Sequence, residues 1–218
     1  MKPLILLFLL FMGYTAVGQQ KLNLALKKQL DSALVLDQKY REILTLLMDP
    51  KQRDSVAKKL SLSAEQANGY YWKLQNKADS ANVVFVEDVF KKYGYPGKSL
   101  VGEPTNEAAW YIIQHSSKID KYLPVVKKAA DKGELPYRLY AMMLDRQLSN
   151  HGQEQIYGTQ AVCRPLKNGK NIGCFIWPIK DPSGVNARRK KAGFDQTVEQ
   201  NAKRLDVDYK VIRIEEVR

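Results

Sequence analysis

The hydrophobic positions in the first part of the chain recur at helical spacing. The leucines that form one stripe are Leu22, Leu26, Leu30, Leu34 and Leu47. Because apolar residues three or four apart lie on one face of a helix, residues 20–48 are predicted to form one long amphipathic helix. The dipeptide Asp49-Pro50 predicts the start of a second helix, with an acceptor at the cap and proline at the first helical position.

Capping residues predict two further helices before residue 95. The run Ser63-Ala64-Glu65-Gln66 has the spacing of a capping box and opens a third helix. Asp79 or Ser80 is expected to cap a fourth helix, which ends at Gly94 as a C-terminal glycine does. The run Val83–Val86 inside it is rich in β-branched residues, which favours a strand locally.

The second half is predicted to hold three more helices and then a small β-hairpin. After a loop rich in Gly and Pro, helices are expected from Thr105, from Pro124 to Lys132 and from Pro136 to about Asn150. Beyond them, two short runs flank Asn168-Gly169, a strong hairpin signal. The predicted fold class is therefore α+β and predominantly α-helical, with six to eight helices and a small C-terminal hairpin or sheet.

Both cysteines fall on the predicted hairpin. A turn centred between Asn168 and Gly169 places Cys163 and Cys174 directly opposite each other. A four-residue loop moves them, and Pro165, to non-hydrogen-bonded positions, where facing Cα atoms approach to about 4.5 Å, within the disulfide range. We therefore predict a disulfide between them. A catalytic or metal-binding thiol is the alternative, but the Cys-x-x-Cys spacing is missing.

The first 18 residues have the pattern of a secretory signal peptide. Lys2 precedes an apolar run from Leu4 to Met12, and Ala16-Val17-Gly18 is a small-x-small cleavage site. A membrane anchor is the alternative, and it would need about 20 apolar residues. We predict that residues 1–18 are removed, and that residues 19–218 form a single exported domain that contacts a membrane only through the transient signal peptide.

The charge of the chain narrows the class of partner. The 35 Lys and Arg residues exceed the 23 Asp and Glu residues, giving a net charge of +12. For an exported protein, acidic glycans, lipid head groups and phosphorylated small molecules are more suitable partners of a basic surface than nucleic acid. Sequence motifs for phosphate loops, serine-hydrolase elbows, zinc proteases and EF-hands are missing, so no cofactor and no metal site are predicted.

Six short polar motifs are spread along the chain. They are Asp37-Gln38-x-x-Arg41, Ala109-Trp110-x-x-x-Gln114-His115, Asp145-Arg146, Gln155-Ile156-Tyr157-Gly158-Thr159-Gln160, Pro178-Ile179-x-Asp181 and Val185-Asn186-x-Arg188-Arg189. These motifs resemble those of an uncharacterised bacterial family, domain of unknown function 6624. The resemblance covers roughly residues 30–195, and its most specific part is the Tyr-Gly-Thr-Gln run with the upstream Asp-Arg pair. It implies one α-rich domain of a bacterial protein without an established chemistry. The cysteine pair and the tail from Tyr209 depart from the family pattern.

His115 and Asp145 are the candidate catalytic residues. His115 follows an apolar helix face, where it is either a hydrogen-bonded structural histidine or a general base. Asp145 lies late in an apolar helix, where it either caps the following loop through backbone N–H groups or serves as an acid, a base or an orienting group for His115. Arg146, beside it, either packs against carbonyls or binds an anion.

The remaining polar motif residues are candidates for ligand binding. The set consists of Arg146, Gln155, Tyr157, Thr159, Gln160, Asp181, Arg188 and Arg189. The arginine side chain suits carboxylate or phosphate groups, and amide side chains suit sugar hydroxyls or peptides. Two hypotheses follow. The first is a cell-envelope module that binds an anionic or hydroxyl-rich ligand. The alternative is a metal-independent hydrolase or transferase that uses His115 and Asp145.

Overall fold

The computed structural model describes residues 21–217, which form nine α-helices and a two-stranded antiparallel sheet. The fold class is therefore the predicted one, predominantly α-helical with a small hairpin. The predicted signal peptide, residues 1–18, lies outside the described residues. Within the described range, no helix is long and apolar enough to cross a membrane.

The first helix, α1 (Leu24–Met48), follows the predicted leucine stripe. Asn23 caps it by accepting a hydrogen bond from the backbone N–H of Leu26, and Leu26, Leu30, Leu44 and Leu47 are buried. A short helix, α2 (Arg53–Lys58), connects α1 to α3 (Ala64–Tyr93), and α1 packs against α3. The apolar face predicted from the sequence is thus the face that α1 buries.

The prediction of separate third and fourth helices is wrong, because α3 continues without a break for 30 residues. The capping box at Ser63 is confirmed, and so is the end at Gly94, which has a positive φ of 70°. Asp79 lies in the middle of the helix, where its carboxylate binds side chains rather than a helix end. Val86 is buried against the main core, so tertiary packing overrides the β propensity of this run.

Four helices complete the main core: α4 (Lys98–Val101), α5 (Ala108–Gln114), α6 (Ile119–Asp131) and α7 (Tyr137–Asn150). The prediction that Pro124 starts a helix is wrong, because α6 begins at Ile119 and contains the proline. The turn before the proline buries Ile119 and Tyr122. Trp110 is buried, and its indole N–H donates to the carbonyl oxygen of Leu139 at 2.8 Å. That bond fastens α5 to α7.

The hairpin pairs β1 (Ala161–Cys163) with β2 (Cys174–Ile176) in the predicted register. Cys163 and Cys174 face each other with their Cα atoms 4.0 Å apart and form the predicted disulfide. The predicted four-residue loop is wrong, since the ladder stops at the cysteines and residues 164–173 connect the strands. Two final helices, α8 (Val185–Lys191) and α9 (Val198–Arg204), form a second small core with the end of the hairpin.

Candidate functional site

Asp145 fastens the loop that follows α7. Its side chain is fully buried, and its carboxylate accepts hydrogen bonds from the backbone N–H groups of Ile156, Tyr157 and Thr159 and from the Thr159 hydroxyl, at 2.7–3.2 Å. Burial raises the pKa of Asp145, and these hydrogen bonds oppose that effect. Asp145 is not hydrogen-bonded to His115. Of the two roles considered for Asp145, its contacts are those of a residue that caps the following loop.

Gly158 makes the close approach of this loop possible. It has a positive φ of 68°, and a Cβ atom there would lie 2.6 Å from Val198 Cγ2 and 2.7 Å from Ile179 Cδ1. The side chain of Asn201 donates to the carbonyl oxygen of Gly158 at 3.0 Å. The loop therefore packs tightly against α9 and the second core. This close packing explains why a glycine lies between Tyr157 and Thr159.

The two glutamines of the motif bind the hairpin. Gln155 is buried, and its amide nitrogen donates to the carbonyl oxygens of Gln160 and Trp177 at 3.0 and 2.6 Å. Its amide oxygen accepts the backbone N–H of Gln160 at 2.9 Å. The side chain of Gln160 donates to the Thr159 hydroxyl. These hydrogen bonds of Gln155, Thr159 and Gln160 are therefore all made within the protein.

Arg188 and Arg189 lie on α8, and Arg189 is buried, with 2% of its surface exposed. The Arg188 guanidinium donates to the carbonyl oxygens of Ile156, Lys180 and Asp181 and to the Asp181 carboxylate. Arg189 donates to the carbonyl oxygens of Tyr157 and Gln196, both at 2.8 Å. Both arginines therefore connect the loop, the hairpin end and the α8–α9 connection.

Tyr157 points into an aromatic group beside α7. Burial and the neighbouring Tyr137 raise its pKa to about 12. Its ring centroid lies 6.0 Å from that of Phe194. The hydroxyl of Tyr157 is accordingly a hydrogen-bonding group and remains protonated at neutral pH.

His115 belongs to a different group of polar residues. Its Nδ1 atom lies 3.2 Å from Oδ2 of Asp37, whose side chain is 1% exposed. Arg41, one turn further along α1, places Nε 3.6 Å from the same Asp37 oxygen and Nη2 2.6 Å from Oδ1 of Asp79. Gln75 donates to Asp79 and to the Asp37 carbonyl oxygen. Together with Arg146 we call these residues the polar cluster: Asp37, Arg41, Gln75, Asp79, His115 and Arg146.

Arg146 joins this cluster from α7. It follows Asp145 in sequence, and adjacent helical positions point about 100° apart, so the two side chains leave the helix on different sides. Burial lowers the pKa of Arg146, and the positive charge of Arg41 lowers it further. This electrostatic effect of Arg41 is the observation that links Arg146 to the polar cluster.

The polar cluster concentrates unsatisfied hydrogen-bonding groups. Within residues 21–217, five buried side-chain nitrogen or oxygen atoms lack a hydrogen-bond partner, and four of them belong to the cluster. The four atoms are Asp37 Oδ1, Arg41 Nε, Gln75 Oε1 and Arg146 Nε. Each such atom costs about 1–3 kcal/mol, and buried groups of this kind call for an explanation. His115 and Arg41 reach the surface above them, with side chains 19% and 22% exposed.

Sequence reasoning missed most of the cluster. Asp37 and Arg41 belong to a sequence motif that does not mark them as site residues, Asp79 has the pattern of a helix cap, and Gln75 belongs to no motif. A usable signal existed, because Asp37 and Arg41 interrupt the apolar stripe of α1 four residues apart. Charged residues on an apolar face must find partners in the core.

The fold and the site define a class of protein: a mostly α-helical domain with a polar cluster between α1, α3, α5 and α7, and a disulfide-bonded hairpin fastened to α7. A model of the family of unknown function DUF6624 matches residues 71–213, and the chain belongs to this family. The match starts later and ends later than the motifs indicated. No curated protein and no solved structure matches the chain. Across the described residues, no group of three or more His, Cys, Asp or Glu side chains could hold a metal ion.

Proposed function

We propose that the polar cluster binds the anionic group of a small ligand outside the cytoplasm of a bacterium, in the cell envelope. The signal-peptide pattern of residues 1–18 supports export, and a disulfide is compatible with an oxidising compartment. Envelope glycans are hydroxyl-rich and carry carboxylate or phosphate groups. Such a ligand fits both the anionic group and the location that we propose.

The observation that carries this proposal is the charge of Arg146. In the described part of the chain, Arg146 has no carboxylate within ion-pair distance, whereas Arg41 has two, Asp37 and Asp79. A largely buried guanidinium without a counter-charge is electrostatically unfavourable, and the positive charge of Arg41 adds to that cost. An anion bound between Arg146 and Arg41 would offset that cost and accept charge-assisted hydrogen bonds.

A ligand screen with matched variants tests the binding site. Phosphorylated metabolites, muropeptides and acidic glycans are tested for a rise in melting temperature, since a ligand that binds only the folded state stabilises it by mass action. Arg146→Gln should abolish the rise caused by any hit. Arg53→Gln, the same change at an exposed arginine of α2 that pairs with Asp54, should preserve it. Equal shifts in both variants, or a screen without hits, would contradict the proposal.

The bond between His115 and Asp37 favours an enzyme as the second candidate function. When Nδ1 of His115 carries the proton, Asp37 accepts it and Nε2 is left as the basic nitrogen. In a hydrolase or transferase, Nε2 would remove a proton from the attacking water or hydroxyl while Arg146 holds the substrate anion. The acid–base pair is then His115 with Asp37, and Asp145 has no part in it.

Kinetics of a hit compound as substrate distinguish the two functions. If the protein is an enzyme, His115→Gln should reduce kcat by about 100-fold or more, the usual size of a general-base contribution, while the melting-temperature shift persists. Asp37→Asn should lower kcat and change its dependence on pH, because it disturbs the tautomer of His115. Unchanged product formation in His115→Gln would contradict the role of His115 as a general base. The ligand-binding function would then be the one that remains.

A further inference from the structure

A cleft of about 460 Å³ lies beside α7. Its walls come from α7, from the loop that Asp145 holds, and from the connection between α8 and α9. Three arginines line it, and we call it the arginine cleft: Arg138, Arg189 and Arg204. Its volume is in the range of small-molecule sites, which is about 300–1,000 Å³.

Arg189 is a rigid, buried wall of this cleft. Two of its nitrogen atoms, Nε and Nη1, are held by carbonyl oxygens, and its guanidinium lies 4.4 Å from the centre of the Phe194 ring. The third nitrogen, Nη2, has no hydrogen-bond acceptor among residues 21–217. Burial lowers the pKa of Arg189, the Asp145 carboxylate opposes this, and the charge of Arg204 adds to it. Arg204 lines the same cleft, so a ligand bound there can contact both arginines.

Arginines outnumber carboxylates among the residues that line the cleft. Asp195 is the one carboxylate in this lining, against three guanidinium groups. From outside the lining, Asp145 and Glu199 also act on the charge of Arg189. Arg138 spends one amino group on Glu107, at 3.2 Å, and Arg204 donates one to the side chain of Asn201, at 2.9 Å. Arg189 Nη2 and the other nitrogen atoms of Arg204 remain the donors that a ligand can reach.

We propose that the arginine cleft binds the phosphate or carboxylate group of a small organic molecule, at a site separate from the polar cluster. The planar guanidinium offers paired N–H donors that match either group, and Arg189 is already held in place by the protein, so binding orders little of it. Thr159 lines the cleft, but its hydroxyl donates to Asp145. The arginines are therefore the donors that the cleft offers to an oxyanion.

Nuclear magnetic resonance on the full chain tests this site with defined probes. Inorganic phosphate and acetate are titrated separately, and backbone amide shifts of Thr159, Gln196 and Arg204 are followed alongside that of His115. We expect saturable shifts at the first three residues with at least one probe, and the tighter probe identifies the oxyanion class. No saturable shift at these residues with either probe would overturn the proposal.

Two variants separate a built site from general surface charge. Arg204→Gln should weaken the probe about tenfold or more, as expected for a lost hydrogen bond between charged groups. Lys203→Gln removes the same charge from the neighbouring exposed position of α9, which does not line the cleft, and should leave the affinity within twofold. Equal weakening in both variants would overturn the proposal.

A third variant makes this test independent of the proposed function. Arg146→Gln removes the anion site of the polar cluster, so shifts at Thr159 and Gln196 should persist in it if the cleft is a separate site. Their disappearance in this variant would overturn the inference. If the shifts persist and no ligand is found for the polar cluster, the arginine cleft is supported and the proposed function is contradicted.

Discussion

Replacing Asp145 by asparagine should destabilise the protein out of proportion to the size of the change. The two side chains have the same shape, but the amide keeps only one accepting oxygen. That oxygen can still accept the backbone N–H groups of Ile156 and Tyr157, which now point at Oδ1. The new NH₂ group faces the backbone N–H of Thr159, a donor against a donor. Thr159 therefore loses its buried acceptor.

The magnitude follows from the bonds that are lost. A buried N–H without an acceptor costs about 1–3 kcal/mol, and the two remaining bonds lose the strength that a charged acceptor gives them. The hydroxyl of Thr159 can reorient and contributes little to the loss. We expect the free energy of unfolding to fall by about 2–4 kcal/mol, a large share of the roughly 5–15 kcal/mol that stabilises a typical domain.

Urea unfolding at neutral pH, followed by circular dichroism, measures this loss. The matched control is Asp120→Asn, the same change at a carboxylate whose side chain is 61% exposed and which contacts Gln147 and His151. Its effect should stay within about 0.5 kcal/mol. If Asp145→Asn loses no more than this control, the carboxylate does not hold the loop, and the argument from its hydrogen bonds is refuted.

The pH dependence of the same difference tests the electrostatics. Burial raises the pKa of Asp145 in the folded state above its ordinary value of 3.8. The folded protein then binds the proton more tightly than the unfolded chain between these two values, so this carboxyl stabilises more as pH falls through the folded pKa. Asparagine does not titrate, and the gap in unfolding free energy between wild type and Asp145→Asn should widen on acidification toward about pH 4. A gap that narrows would mean that the hydrogen bonds outweigh burial.

Three further outcomes are expected. Cys163 and Cys174 should resist thiol reagents until they are reduced, and replacing both by serine should lower the unfolding free energy by about 3 kcal/mol for so short a loop; free thiols in native protein would contradict the pairing. Arg188→Ala should lower the unfolding free energy by about 1–3 kcal/mol in urea, since three carbonyl groups, one of them partly buried, lose a charged donor. Exposed Lys190→Ala should have almost no effect, and equal effects of the two variants would contradict the role given to Arg188. Intact-mass analysis of secreted protein should show a chain that starts at or within two residues of Gln19, and retention of the first 18 residues in a membrane fraction would contradict export.

Local interactions determined the parts of the fold that could be predicted from the sequence. The leucine stripe of α1, the capping box at Ser63 and the end of α3 at Gly94 all depend on residues within a few positions of each other. The pairing of Cys163 with Cys174 is also short in range, because the two residues are 11 positions apart on one hairpin. These patterns specify a conformation before any distant segment is in place.

Local signals failed where distant packing competed with them. Asp79 has the chemistry of a helix cap, yet α3 continues through it because Arg41, 38 residues earlier, binds its carboxylate. Pro124 has the chemistry of a helix start, yet α6 begins before it and buries its first turn. In both cases the contacts made with other helices outweigh a preference of about a few kcal/mol at one residue.

The sequence by itself determined which residues are chemically capable, and the tertiary structure decided which of them act together. Polar motifs marked His115, Asp145 and Arg146, but nothing near them in the chain states their partners. Packing of α1 against α5 brings Asp37 to His115 across 78 positions, and the turn of α7 sends Asp145 toward its loop and Arg146 toward the cluster. A buried polar group takes the partner that folding places beside it, because leaving it unpaired costs more than any local preference supplies.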